Sequence, residues 1–113
     1  MSDTFYITRN DLTIANGAQT SDDLDLARLG EQVVGILTPA SMTGTTMTFT
    51  VCFIGTTFVP LHDSTGAAVS ITIGSSRYIY LPPAIFAGVA RLRVVSGSVE
   101  SGAKIISVIT RPV

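Results

Sequence analysis

Apolar and polar residues alternate with period two along most of this chain, the signature of strands with one buried and one wet face. The segment Thr46–Ile54 shows it best: Met47, Phe49, Val51 and Phe53 fall on one face, and Thr46, Thr48, Thr50 and Cys52 on the other. Similar stretches read as strands at Phe5–Arg9, Asp23–Ala27, Val33–Leu37, Thr57–Leu61, Ala68–Ile73, Arg77–Leu81, Ala90–Val95 and Lys104–Thr110. Asn16-Gly17, Gly55, Ser64-Thr65-Gly66, Gly74-Ser75-Ser76, Ser96-Gly97-Ser98 and Ser101-Gly102 separate them as turns, since Asn and Gly tolerate positive φ. Eight or nine short strands at this spacing predict an all-β fold, an antiparallel β-sandwich or barrel. One short helical turn is expected at Pro82–Gly88, with proline at its start and glycine at its end. The alternation nominates Phe49, Val51, Phe53, Ile71, Leu92, Val94 and Ile109 as the core, an assignment that a one-residue slip would reverse.

The first 22 residues are more polar, with Phe5-Tyr6 as their one short apolar pair. They read either as an edge strand with a loop or as an arm lying on a neighbouring subunit. Residues 1–22 are therefore set apart from a single sandwich domain at 23–113. As an arm, residues 1–20 would be dispensable for folding.

Composition narrows the function classes. Charged residues are 13% of the 113, about half of what is usual for soluble domains, while 15 Thr and 11 Ser take their place. Hydrophobic residues at 46% exclude a disordered chain. A net charge of −1, with no basic stripe, offers nothing general to nucleic acid or to an anionic membrane surface. The 30 residues from Gln32 to Leu61 carry no formal charge, but Pro39, Gly44, Gly55 and many threonines interrupt them, so no membrane span is expected. Met1-Ser2-Asp3-Thr4 does not open like a signal peptide, which implies synthesis in a cytoplasm.

Candidate chemistry is sparse. Cys52 has no partner for a disulfide and reads as a small buried hydrophobe. His62-Asp63 is the one His–carboxylate pair, and a catalytic metal would need more ligands than the chain has histidines to supply. Followed by Ser64-Thr65-Gly66, the pair reads as a hairpin turn. The acidic group Asp22, Asp23 and Asp25 alternates with apolar residues as a half-buried strand does, rather than as a calcium loop. No cofactor, no metal and no enzyme activity is expected. Arg91 and Arg93 share one face of their strand, with Arg77 a possible neighbour, and could grip a partner's carboxylates. Phe5, Tyr6 and Ile7 could anchor an arm. Tyr78 and Tyr80 share a strand face and are the one candidate platform for a sugar, the alternative being cross-strand packing.

The pieces Val34-Gly35-Ile36, Pro39, Met47-Thr48-Phe49, Gly55-Thr56-Thr57-Phe58 and Asp63-Ser64-Thr65-Gly66 form a recognisable series. It continues through Leu81-Pro82-Pro83-Ala84-Ile85-Phe86-Ala87-Gly88 and Arg91-Leu92-Arg93-Val94-Val95-Ser96-Gly97. Over Val33–Gly97, somewhat more than half the chain, this resembles a small domain of tailed-bacteriophage structural gene clusters. In size and β character the chain is similar to the capsid decoration proteins (cement or staple proteins) of short-tailed phages. That resemblance implies a jelly-roll-like β-sandwich, a virion protein on the outer surface of an icosahedral shell, bridging subunits of the major capsid protein. Low charge favours permanent contacts, and a symmetric homo-oligomer, dimer or trimer, is expected. The alternative is a carbohydrate-binding or tail-associated adhesion module.

Overall fold

The computed structural model describes residues 7–112, apart from the side chain of Leu29. In chain order the elements are β1 (Thr8–Ile14), β2 (Leu24–Asp25), a helical turn α1 (Leu26–Leu29), β3 (Glu31–Leu37) and β4 (Thr46–Cys52). They continue with β5 (Val59–Pro60), β6 (Ser70–Thr72), β7 (Tyr78–Tyr80), a 3₁₀ turn (Pro83–Phe86), β8 (Arg91–Ser96) and β9 (Lys104–Pro112). Every pairing is antiparallel, and the partners are nested: β1 with β9, β2 with β8, β3 with β7, and β4 with both β5 and β6. The chain is thus one long hairpin, bent after β4 and rolled so that successive rungs fall in two sheets. Further pairings of β3 with β9 and β4 with β8 complete the sheets β1-β9-β3-β7 and β2-β8-β4-β5, with β6 also on β4. This is jelly-roll topology: spacing left sandwich or barrel open, and the jelly-roll form is the one that the resemblance implies.

Between the sheets lie Leu12, Ile14, Val33, Ile36, Met47, Phe49, Val51, Leu92, Val94, Ile106 and Val108. Phe49 is the largest fully buried side chain, 1% exposed, and meets Phe86 of the 3₁₀ turn edge-to-face with ring centroids 5.0 Å apart. That contact holds the β7–β8 connection over one end of the core.

Three expected core residues differ. Phe53 is 58% exposed, because β4 ends at Cys52 and the chain turns at Gly55 (φ 72°). Cys52 is itself buried, and its thiol donates to the carbonyls of Ile54 and Gly55 at 3.4 and 3.3 Å, so the alternation breaks one residue early. Ile109 faces outward, since Ile106 and Val108 take the inward positions of β9. Ile71 does point inward, opposite Met47, but β6 is a short edge and leaves it half-buried.

The strand expected at Asp23–Ala27 shrinks to two residues followed by α1, a second helical turn that the alternation hides. Its caps are local. The Asp25 carboxylate accepts from the Arg28 amide at 3.0 Å, and Gly30 (φ 65°) closes the turn by donating to the Leu26 carbonyl at 3.0 Å. Of the strand expected at Phe5–Arg9, Phe5 and Tyr6 lie outside the described residues; the first described strand, Thr8–Ile14, pairs with β9 along its whole length. It places Leu12 and Ile14 in the core, so this part of the N-terminal stretch is built into the sandwich, and removing residues 1–20 would strip one side of β9.

One carboxylate ties three connections together. Glu100, fully buried in the β8–β9 loop, accepts from the amides of Thr43 and Gly44 at 2.9 Å each and from the Ser96 hydroxyl at 2.6 Å. Its own backbone pairs with Gly17 and Ala18 of the β1–β2 loop. A Cβ at Gly44 would collide with the Ser96 hydroxyl, so only glycine brings that amide close enough. Burial alone would raise the Glu100 pKa. The Ser96 hydroxyl and the two amides outweigh it, Lys104 adds its charge, and the carboxyl sits below the ordinary value of 4.5.

Two outcomes follow for stability. Phe49→Ala should cost about 3–5 kcal/mol and Phe53→Ala less than about 1 kcal/mol in denaturant unfolding, reversing the order that strict alternation would give. For Glu100, whose folded pKa lies below its unfolded value, the stabilisation is present above about pH 4.5 and is lost as pH falls through the folded value. Glu100→Gln should therefore cost roughly 1–3 kcal/mol near neutrality and flatten the acid limb of a stability–pH profile. An unchanged acid limb would mean that the Glu100 carboxyl titrates alike in the folded and unfolded chain.

Candidate interaction surface

The two outer sheet faces differ in chemistry. On the β2-β8-β4-β5 sheet the outward positions are mostly polar: Thr46, Thr48 and Thr50 of β4, Ser70 and Thr72 of β6, and the two arginines of β8, with Val95 opposite Thr48 and Pro60 opposite Thr50. Arg93 donates from Nε to Asp23 Oδ1 at 2.5 Å and lies 3.9 Å over the Phe58 ring. Arg91 stands opposite Asp25 in the β2–β8 register, with Nε 4.0 Å from its carboxylate. The arginines expected to grip a partner are thus answered by acids of the same chain. The signal was in the spacing: Asp23-x-Asp25 and Arg91-x-Arg93 present the same period-two pattern on antiparallel partners. Arg77 does not join them, because it lies ahead of β7 in the other sheet, against Gly74.

The outer face of the β1-β9-β3-β7 sheet is apolar at its centre. Tyr80, Gly35, Ile109 and Arg9 form one row across the strands, and Tyr78, Leu37, Ser107 and Asp11 the next. Tyr78 and Tyr80 are 54% and 69% exposed, and Ile105 adds a third open side chain beyond them. Tyr78 leans across Gly35, where any Cβ would strike its ring, and its hydroxyl donates to the Val34 carbonyl at 3.4 Å. At the β1 side, Asp11 accepts from Ser107 Oγ at 2.8 Å and Arg9 Nε at 3.0 Å. Those hydrogen bonds, Ser107 first, hold the Asp11 carboxyl below its usual range. The result is an aromatic and aliphatic patch with an ionic rim on one side. The shared strand face of Tyr78 and Tyr80 and the isolated Gly35 were its sequence signals, whereas Ile109 reads as core from alternation alone.

The sheet edges are closed to further strands. On β1, Asp22 takes the free-edge groups of Thr13: its carboxylate accepts from the Thr13 amide at 2.8 Å and its amide donates to the Thr13 carbonyl at 3.4 Å. Arg9 and Asp11 charge the rest of that edge. β2, β5 and β7 have only two or three residues each, and β5 carries Pro60.

The other candidates scatter. Phe5 and Tyr6 lie outside the described residues, and Ile7 is exposed just ahead of β1. His62 is exposed in the β5–β6 turn, its Nδ1 3.2 Å from the Pro60 carbonyl. Asp63 accepts from the Thr65 hydroxyl and amide and from the Ala67 amide, bonds of an Asx-type turn that lower its pKa, helped by His62. Asp22, Asp23 and Asp25 each serve a different partner. Among the described residues no three His, Cys, Asp or Glu side chains come together as a metal site. No described helix is long and apolar enough to cross a membrane.

The surface defines a jelly-roll β-sandwich with blocked edges and one open apolar face. The chain takes the same fold as the SPBc2 prophage-derived protein YomS, known from its crystal structure. The TM-score is 0.60 at 11% sequence identity, covering 98% of this chain and 99% of that one. No protein-family model matches the chain, and neither does any curated protein.

Because the Asp23–Arg93 pair is about one-third exposed, its worth is small and screened by salt. A double-mutant cycle with Asp23→Asn and Arg93→Gln should give a coupling below about 1 kcal/mol that shrinks further in molar salt. A larger, salt-insensitive coupling would show that these arginines are structural.

Proposed function

We propose that the chain is a structural protein of a bacteriophage particle, non-enzymatic and seated on the outer capsid surface, where it bridges subunits of the major capsid protein. The observation that carries the reading is the open face of Tyr78, Tyr80, Leu37, Ile105 and Ile109 on a sandwich whose edges are blocked. A patch of this kind, centred on tyrosines and bordered by the Arg9–Asp11 pair, has the composition of a protein interface core with a polar rim. The phage setting is supported by the full-length fold likeness to a prophage-derived protein and by the motif series from Val33 to Gly97. Weak charge suits a protein held in many identical, lasting contacts rather than one that circulates free.

A second reading rests on the same tyrosines. Two exposed rings, two residues apart on one strand, can stack on a sugar, which would make the chain a carbohydrate-binding or tail-associated module.

Purified particles of the phage that encodes the chain separate the two. A decoration role expects the protein in copy number comparable to the major capsid protein, released by Tyr80→Asp or Ile109→Asp without unfolding. A copy number that is a small fraction of that, with glycan binding lost in Tyr80→Ala, establishes the second reading. Absence from the particle overturns both.

A further inference from the structure

The end of the sandwich opposite Glu100 carries a protrusion and a recess side by side. The protrusion is the β4–β5 turn, where Phe53 and Ile54 are 58% and 88% exposed. They are held outward because the buried Cys52 thiol ties down the carbonyls of Ile54 and Gly55. Ile54 is the most exposed large hydrophobe among the described residues, and an adjacent pair of this kind in water is costly. The recess is a groove of about 480 Å³ between α1 and the 3₁₀ turn, walled by Leu26, Ala27, Pro83, Phe86, Ala87 and Val89. Helix α1 separates the two features, and Ala27 lines both sides.

Charge follows the same division. Around the protrusion lie Arg28 and Arg91 against a single acid, Asp25. The groove is lined by one charged residue, Glu31, and by no cation. Glu31 is held in place by the hydroxyls of Thr8 and Thr110. One chain therefore offers an apolar knob with a net positive surround next to an apolar hole with a negative lip.

We propose that this end is a self-association surface, occupied by a second copy of the chain in a two-fold dimer. Phe53 and Ile54 of each copy enter the groove between α1 and the 3₁₀ turn of the other, and Arg28 approaches the partner's acidic lip. Knob and hole on one surface patch satisfy the requirement of an isologous contact, in which the same patch serves both copies. Two knob-in-hole insertions per dimer remove four large side chains from water. This inference stands apart from the virion role. It uses the end of the sandwich and leaves the open sheet face of each copy free for another partner.

The test is sedimentation velocity of the purified full chain across a wide concentration range, with circular dichroism as the check on folding. Ile54→Asp removes the knob at an exposed site, and Ala87→Phe fills the groove from an exposed position of extended backbone. Wild type should dimerise, and each variant should weaken dimerisation at least tenfold while keeping the wild-type spectrum. The Ile54→Asp chain keeps its groove and the Ala87→Phe chain keeps its knob. An equimolar mixture should therefore associate more tightly than either variant alone, through one intact contact. Tyr80→Asp, on the sheet face, should leave the dimer unchanged. A wild-type chain that stays monomeric, a dimer indifferent to Ile54→Asp and Ala87→Phe, or one broken by Tyr80→Asp instead overturns the proposal. None of these readings involves phage particles, so the virion role stands or falls separately.

Discussion

The buried Glu100 carboxylate is the interaction on which the rest of the arrangement leans. A charge taken fully out of water is costly unless its oxygens are satisfied, and here two amides and a hydroxyl satisfy them. Those donors belong to the β3–β4 loop and to the end of β8, while the Glu100 backbone engages the β1–β2 loop. Strands β1, β3, β4, β8 and β9 are therefore anchored at a common end, and both sheets are represented among them. Moving any one of these loops would strand a charge, which fixes the relative setting of the sheets at that end more firmly than apolar packing alone. Gly44 belongs to the same constraint, because a side chain there would hold its amide away from the carboxylate.

The opposite end is organised by packing instead. The edge-to-face contact of Phe49 and Phe86 pins the 3₁₀ turn, and the Asp25 and Gly30 caps hold α1. Neither device fills the space between those two turns, so a groove remains, and the Cys52 thiol projects Phe53 and Ile54 beside it. The molecule thus has one end closed by hydrogen bonds to a charge and one end left with apolar surface. Its sheets show a similar contrast, with threonines and paired charges outside one and tyrosines and aliphatics outside the other.

Scarce charge explains much of this division. The described ion pairs, Arg9–Asp11, Arg91–Asp25 and Arg93–Asp23, lie at strand edges or between an edge and its neighbour, where charge discourages unwanted strand addition. With the charges so placed, one sheet face and the α1 end carry little, and what remains there is apolar enough to favour lasting contacts.

Period-two alternation and regular turn residues were enough to determine an all-β fold of eight or nine short strands, the inward face of Phe49, Val51, Leu92 and Val94, and the turn at Asp63–Gly66. These follow from local rules, since a strand's faces and a turn's φ angles are set within a few residues. The tertiary structure decided what local rules cannot reach. Phe53 and Ile109 carry core-like side chains in core-like runs, yet the early end of β4 and the phase of β9 turn both outward. Asp25 reads as a strand residue until Arg28 and Gly30 close a helical turn around it. The arginines that looked available to partners are matched with acids of the same chain, because β2 and β8 are rungs of the same hairpin although nearly seventy residues separate Asp23 from Arg93. Nothing in the residues next to Glu100 marks it out, and its role emerges only where three loops distant in sequence converge on it. Burial, pairing and exposure are properties of neighbours in space, and the rolling of one long hairpin into two sheets is what chooses those neighbours.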